Sequence, residues 1–338
     1  CCFPLTFGRM SYRCDMTEAE VVQVEREKND ELKKNEEEEG GEEFIEIDRD
    51  AKEVDLTRRR IDKIEGFDFL RCIESLCLRW NLIKKIENLH SLVTLTELDL
   101  YDNQITKVEN LDALVNLEML DLSFNRIAVI DGLSALKKLK MLFFVHNKIE
   151  KIEGLSELTE LTYLELGDNR IKKIENLSTN KKIQRLFLGA NQIQQIENLD
   201  DLENLEVLSL PANAIQTIKG LDKLLNLREL YLSQNGVKEI QGLEHNKKLE
   251  ILDLNYNLLK RISGVRHLNN LTDFWAKSNQ LHEMEDVNEL VDLPRLTLVY
   301  LEMNPFSDSS TYRSKVIRML PQIKKLDAEY CRGFTTLS

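Results

Sequence analysis

The sequence predicts an α/β solenoid of about twelve 22-residue units. They share one parallel sheet on a concave side, with short helical segments on the convex side and a C-terminal cap. Three observations predict it. First, an asparagine recurs at Asn81, Asn103, Asn125, Asn147, Asn169, Asn191, Asn213, Asn235, Asn257 and Asn279, always after 22 residues. Second, leucines hold register with it, five residues before (Leu76, Leu98, Leu120) and three before (Leu78, Leu100, Leu122). Third, an isoleucine follows two residues after it, from Ile83 to Ile215. Arg59 takes the asparagine position one step before Asn81, and Asn304 follows Asn279 after 25 residues, which completes twelve units.

Each element has a physical reason. Residues 1–43 carry 13 acidic and 6 basic residues, and the run Glu36-Glu37-Glu38-Glu39-Gly40-Gly41-Glu42-Glu43 has no apolar period, so a disordered acidic tail is expected. Residues 44–303 form the solenoid. In each unit the Leu-x-Leu alternation is a short strand with both leucines on one face. The asparagine amide both donates and accepts, so stacked copies suit a buried ladder at the turn leaving the strand. After Ile-Glu stands Asn88, Asn110, Gly132, Gly154 or Asn176, read as the start of a convex helical segment. Leu89 and Leu92 then return to the core. Residues 304–338 form the cap and tail. There Tyr312, Val316, Ile317 and Leu320 have helical spacing and Pro321 stops the helix. Such a helix covers the last open edge and core of the stack.

Composition narrows the function. A net charge of −13 disfavours a nucleic-acid partner, which clustered Lys and Arg would hold. No apolar run approaches a membrane span, and Cys1 to Met16 lacks the layout of a secretory leader. The chain begins with Cys, with Met10 and Met16 as candidate start residues. Cys1, Cys2, Cys14, Cys72, Cys77 and Cys331 show no CxxC spacing and no nearby His, so neither a metal site nor another cofactor is expected, and a reducing compartment is. His90, His146, His245, His267 and His282 are dispersed, with no HExxH, phosphate-binding loop or dinucleotide fingerprint, and an enzyme is not expected.

Function should lie on the concave strand positions. Four residues before each asparagine stand Asp55, Cys77, Asp99, Asp121, Phe143, Glu165, Phe187, Ser209, Tyr231, Asp253, Trp275 and Tyr300. Five are acidic, five are aromatic and none is Lys or Arg. Asp is common at this place in leucine-rich repeats, so about half of the acidic signal is repeat grammar. An exposed strip of Phe, Tyr and Trp marks an interaction surface. Trp80, Tyr101, Phe124, Tyr163 and Tyr256 lie beside it.

The uniform unit, the repeated IENL and IEGL (Ile86–Leu89, Ile152–Leu155, Ile174–Leu177, Ile196–Leu199), LDLYDNQI (Leu98–Ile105) and LRELYLSQNG (Leu227–Gly236) resemble the protein phosphatase 1 regulatory subunit 7 family. So do NP, YR and LP at Asn304, Tyr312 and Leu320. The resemblance runs over about residues 44–332. It implies a monomeric, non-catalytic regulator in nucleus and cytoplasm that binds the phosphatase catalytic subunit on the concave strip. It also implies a small phosphatase inhibitor protein as a further partner, a hold on an inactive, metal-poor phosphatase, and a role in chromosome segregation. The matching positions are Asp121, Phe143, Glu165, Phe187, Asp253, Asp273, Trp275 and Tyr300, with Asp99 and Tyr231 as secondary positions. Asp273 departs from the family's glutamate, which keeps the charge on a shorter side chain. No short [RK]-x-[VI]-x-[FW] docking motif is found; Lys140–Phe144 comes nearest, with Leu142 at its centre. An adaptor of a spliceosomal or axonemal complex is the alternative.

Overall fold

Residues 47–331 are described by a computed structural model, and the acidic segment 1–43 lies outside them. The chain divides into two units, Cys1–Asp48 and Arg49–Ser338, and every element below belongs to the second. Strands β1 (Glu53–Asp55) to β12 (Leu298–Tyr300) are three residues each and follow one another in sequence order in a single sheet. Neighbours pair in parallel at a constant register, so Leu76 faces Leu98, Leu98 faces Leu120, and Leu252 faces Phe274. The sheet then gains β13 (Lys325–Leu326), parallel, and β14 (Glu329–Tyr330), antiparallel.

The core is one column per repeat position. Leu98, Leu100, Ile105, Leu111, Leu114 and Leu117 of one unit are fully buried and Val108 is nearly so, and the same places are buried in the next. No unit can bury these side chains alone, so stability is shared between neighbours.

The asparagine ladder forms as the residue type requires. The Asn103 amide donates to Leu78 O of the preceding unit (2.9 Å) and to Leu100 O of its own (3.1 Å), while its oxygen accepts from Ile83 N (3.0 Å). The pattern extends from Asn81, which takes Arg59 N and Ile61 N at 3.0 Å, to Asn304, which takes Leu281 N at 3.1 Å.

On the convex side the expected helical segments are tighter than α-helix. Leu92 N donates to Leu89 O (3.0 Å) and Leu95 N to Leu92 O (3.1 Å), three-residue steps that recur along the stack. A longer piece there is a 3-10 helix over Met284–Leu290. The reason is the apolar spacing: Ile83, Ile86, Leu89, Leu92 and Leu95 recur every three residues. That period matches 3.0 residues per turn, not 3.6.

Asn88, Asn110 and Asn176 do not start a helix; they are left-handed, with φ of 58°, 61° and 61°. Their amides reach the preceding unit, as Asn176 does to Ile152 O at 2.7 Å. Where glycine stands instead, the backbones close up: a Cβ on Gly154 would lie 2.2 Å from Ile130 O. Asn and Gly are thus two solutions to one left-handed turn.

Two units break the convex leucine column. Asn180 and Asn246 are fully buried there. Each amide nitrogen finds carbonyls, Leu155 O and Leu158 O for Asn180 at 2.9 and 3.0 Å, but each Oδ1 has no partner. Those carbonyls already accept backbone N–H groups. Asn180→Leu is therefore expected to raise stability by about 1–2 kcal/mol, by removing a buried orphan acceptor and adding apolar burial. The urea midpoint measures it; a lower midpoint would show that the two carbonyl contacts outweigh the orphan.

The cap contains α1 (Tyr312–Met319), whose Tyr312 and Val316 are buried at a true four-residue spacing that Leu320, just past its end, continues. Asp327 ties it to the sheet. Its carboxylate accepts from Leu301 N (2.9 Å), Glu302 N (3.0 Å) and the Tyr312 hydroxyl (3.1 Å), and burial pushes its pKa up.

Candidate functional site

In each strand the middle residue enters the core and the outer two face away from it. Asp99, Asp121, Phe143, Glu165, Phe187, Tyr231, Asp253, Trp275 and Tyr300 are all the third residue of their strands. Strand pairing puts them in one row across the open sheet face, with Ser209 between Phe187 and Tyr231. Asp273 opens the strand that Trp275 closes, and so lies on the same face one row away.

The rings form two groups. Tyr163 lies between Phe143 and Phe187, with centroids 5.0 and 5.1 Å away, and its hydroxyl donates to Glu165 at 3.0 Å. Trp275 lies between Tyr231 and Tyr300, at 6.2 and 6.0 Å. Both groups are half-buried, not exposed as the sequence alone suggests. Strands ~4.8 Å apart set each ring against its neighbours.

The aspartates have a local duty. Asp99, Asp121 and Asp253 accept from the backbone N–H two residues on, Tyr101 (3.0 Å), Ser123 (2.8 Å) and Asn255 (2.9 Å). This bond steadies the turn that leaves the strand, the structural part of the acidic signal. Glu165 departs from it by serving Tyr163. Burial pushes the Asp121 carboxyl up to about 6, with the nearby Asp99 adding to it. Burial alone does the same to Asp253, which is 6% exposed. Asp99 is also raised by burial, against the pull of Arg79, whose Nη1 donates to it at 3.0 Å. That arginine lies two residues beyond Cys77, its own unit's place in the strip, so the strip's lack of Lys and Arg hid its counterion.

A carboxyl whose pKa is raised by folding has a stability consequence of fixed sign. The folded Asp253 binds its proton more tightly than the unfolded chain does. Its stabilising share is full below about pH 4 and is lost as pH rises through about 6. Asp253→Asn keeps an acceptor for Asn255 N and removes this dependence. We expect it to gain on the order of 2 kcal/mol over the wild type at neutral pH and nothing near pH 4. Denaturation midpoints at both pH values decide it; a constant difference would mean that folding does not raise the Asp253 pKa.

A second aromatic row follows the turn edge beside the strip. Trp80, Tyr101, Phe124 and His146 contact in sequence, at 5.9, 4.8 and 4.8 Å, and His146 Nδ1 pairs with Asp168. Arg58 lies over Trp80 at 4.5 Å and Arg79 over Tyr101 at 4.1 Å. Trp80, Phe124 and His146 hold left-handed φ of 53–55°, a conformation that bulky residues seldom adopt. The same turn position is left-handed in other units, as at Ala190 and Ala212 (51°), so the turn of the repeat imposes it and not the rings. The sequence showed these rings, but not the two arginines or His146, because they come from different places in the unit.

Among the described residues, no group of three or more His, Cys, Asp or Glu side chains is placed to hold a metal ion, and no helix is long and apolar enough to cross a membrane.

Comparison with known proteins agrees with the fold. A family described as "Leucine-rich repeat" matches residues 229–333, and one described as "Leucine Rich repeats (2 copies)" matches residues 115–157, 159–203 and 203–245. An internalin crystal structure from Listeria monocytogenes superposes with a TM-score of 0.66 at 26% identity, covering 82% of this chain and 87% of that one. A Leptospira interrogans leucine-rich-repeat protein superposes with a TM-score of 0.64 at 24% identity, covering 77% and 74%, a likeness of fold alone. Among curated proteins, human protein phosphatase 1 regulatory subunit 7 is 60% identical over 42 residues, 12% of either chain. Protein phosphatase 1 regulatory subunit SDS22 of Schizosaccharomyces pombe is 43% identical over 61 residues, 17% of this chain and 18% of that one. The matches thus span less than a fifth of these relatives' length. With its 22-residue units, its parallel sheet and its asparagine ladder, this chain is a leucine-rich-repeat protein.

Proposed function

We propose that this chain is a non-catalytic regulatory subunit that binds the protein phosphatase 1 catalytic subunit on the open face of its sheet. One observation carries the reading: one open sheet face sets two aromatic groups, Phe143–Tyr163–Phe187 and Tyr231–Trp275–Tyr300, among carboxylates. The similarity to phosphatase regulatory subunits supports the choice of partner. The two ring groups supply area that binding removes from water, and aromatic anchors of this kind dominate interface energies. Asp121, Glu165 and Asp273 supply the charge. Engagement uses the folded face and not a linear peptide, because Leu142 and Phe144 of the nearest docking-like run are fully buried. Nuclear and cytoplasmic localisation, a small inhibitor protein as third component, and action on phosphatase maturation or chromosome segregation belong to the same proposal.

Mixing the purified chain with the catalytic subunit in a calorimeter tests it. Tight one-to-one binding is expected, and no binding by the folded chain would overturn the reading. Carboxylates that steer association should make it salt-sensitive. Raising salt from about 50 to 300 mM is expected to slow association roughly tenfold and to change dissociation little. Stopped-flow mixing measures both rates; a salt-independent association rate would remove the charges from the mechanism.

A further inference from the structure

Two polar groups beside the C-terminal rings are shut away from water. The strand of Asp253 lies between those of Tyr231 and Trp275. Alternate strands are ~9–10 Å apart, yet these two rings approach to 6.2 Å. They lean together across the intervening strand, and Asp253 there is 6% exposed. The Trp275 indole N–H is itself buried and has no hydrogen-bond partner. A buried tryptophan N–H ordinarily finds an acceptor, and an unmade bond of this kind is costly. The closed arrangement therefore holds an unmet donor and a desolvated carboxyl under one pair of rings. Opening would relieve both.

We propose that the Tyr231–Trp275 pair is a displaceable cover over Asp253, and that the partner opening it presents a lysine or arginine to the carboxylate and an acceptor to the indole N–H. The proposal rests on the reading of the open face as the binding surface, and it explains how a covered aspartate serves a contact. The surroundings leave the cation to the partner. The neighbouring strands bring Glu229 and Tyr231 on one side and Asp273 on the other. Glu229 is engaged by the Tyr231 hydroxyl at 2.7 Å. Lys277, beyond Trp275, is 13% exposed and holds Glu302 at 2.9 Å. The turn itself contributes Asn255, whose N–H bonds Asp253 and whose Oδ1 accepts from Lys277 N. The raised carboxyl pKa agrees with a closed cover. Uncovering Asp253 then releases its proton, so binding is linked to pH through this one group.

The experiment has two arms. Trp80→Phe leaves Trp275 as the one tryptophan of the chain. In the free 338-residue chain, acrylamide quenching of Trp275 is expected to rise roughly twofold between about pH 5 and pH 7.5, as ionised Asp253 loosens the cover. With Asp253→Asn added, quenching should stay at the low value throughout. Quenching that ignores pH, or that rises equally with Asp253→Asn, overturns the cover. In the second arm, affinity for the phosphatase catalytic subunit is expected to tighten roughly fourfold more in the wild type than in Asp253→Asn from about pH 5.5 to 7. Equal slopes would overturn the basic partner group. A normal quenching response with no phosphatase binding at any pH would overturn the phosphatase reading and leave the cover standing.

Discussion

Trp275→Ala is expected to weaken binding of the phosphatase catalytic subunit by about 2–4 kcal/mol, a loss of roughly 30- to 1000-fold in affinity. The central ring of a group is the one to remove. Trp275 contacts Tyr231 and Tyr300 at once, so its loss opens the whole C-terminal platform to water. Water exclusion around a central aromatic is what concentrates binding energy there. Phe187→Ala removes one end of the other platform and should cost less, about 1–2 kcal/mol. Neither residue belongs to the columns that hold the units together, which are the leucines on the far face of the strands. Far-ultraviolet dichroism and the urea midpoint should therefore stay close to wild type. Calorimetry of both variants measures the loss. Full affinity in a folded Trp275→Ala protein would exclude the C-terminal platform from the interface.

Asn191→Ala is expected to destabilise the fold by roughly 2–4 kcal/mol, although it removes little apolar surface. The Asn191 amide donates to Leu166 O (2.9 Å), Leu188 O (3.1 Å) and Gly189 O (3.1 Å), and its oxygen accepts from Ile171 N (2.9 Å). The carbonyls have alternatives. Leu166 O also takes the Asn169 amide, Leu188 O the Asn213 amide, and Gly189 O the Asp168 N–H. Ile171 N has no such substitute, and a stranded buried N–H sets most of the cost. The damage should also be non-local in one respect. The bonds join consecutive units, and the coupling between neighbours holds a solenoid in one cooperative transition. The urea transition of Asn191→Ala is expected to broaden as well as shift. An unchanged midpoint would mean that water replaces the amide. Asn180→Leu is the complementary case, because there the polar group is the misfit in an apolar column.

Much of this was legible in the sequence because a repeat states each rule many times. The 22-residue asparagine spacing and the Leu-x-Leu alternation determined the solenoid, its parallel register and the face on which Asp121, Phe143, Glu165, Phe187, Trp275 and Tyr300 stand. The cap helix was legible for the same reason, since Tyr312, Val316 and Leu320 switch from a three- to a four-residue period. The three-residue period from Ile83 to Leu95 was also in the sequence, and it specified tight turns where helical segments were expected. The left-handed role of Asn88 and Gly154 required the neighbouring unit, whose Ile64 O and Ile130 O set the spacing. Only the tertiary structure decided how side chains one and two strands apart meet. It placed Tyr163 between Phe143 and Phe187, gave Asp99 its arginine, and closed Tyr231 and Trp275 over Asp253. Sequence period reports which face a residue occupies. It carries no information on how far a ring leans toward its neighbour, and on a sheet with strands ~4.8 Å apart that lean decides which groups water can reach.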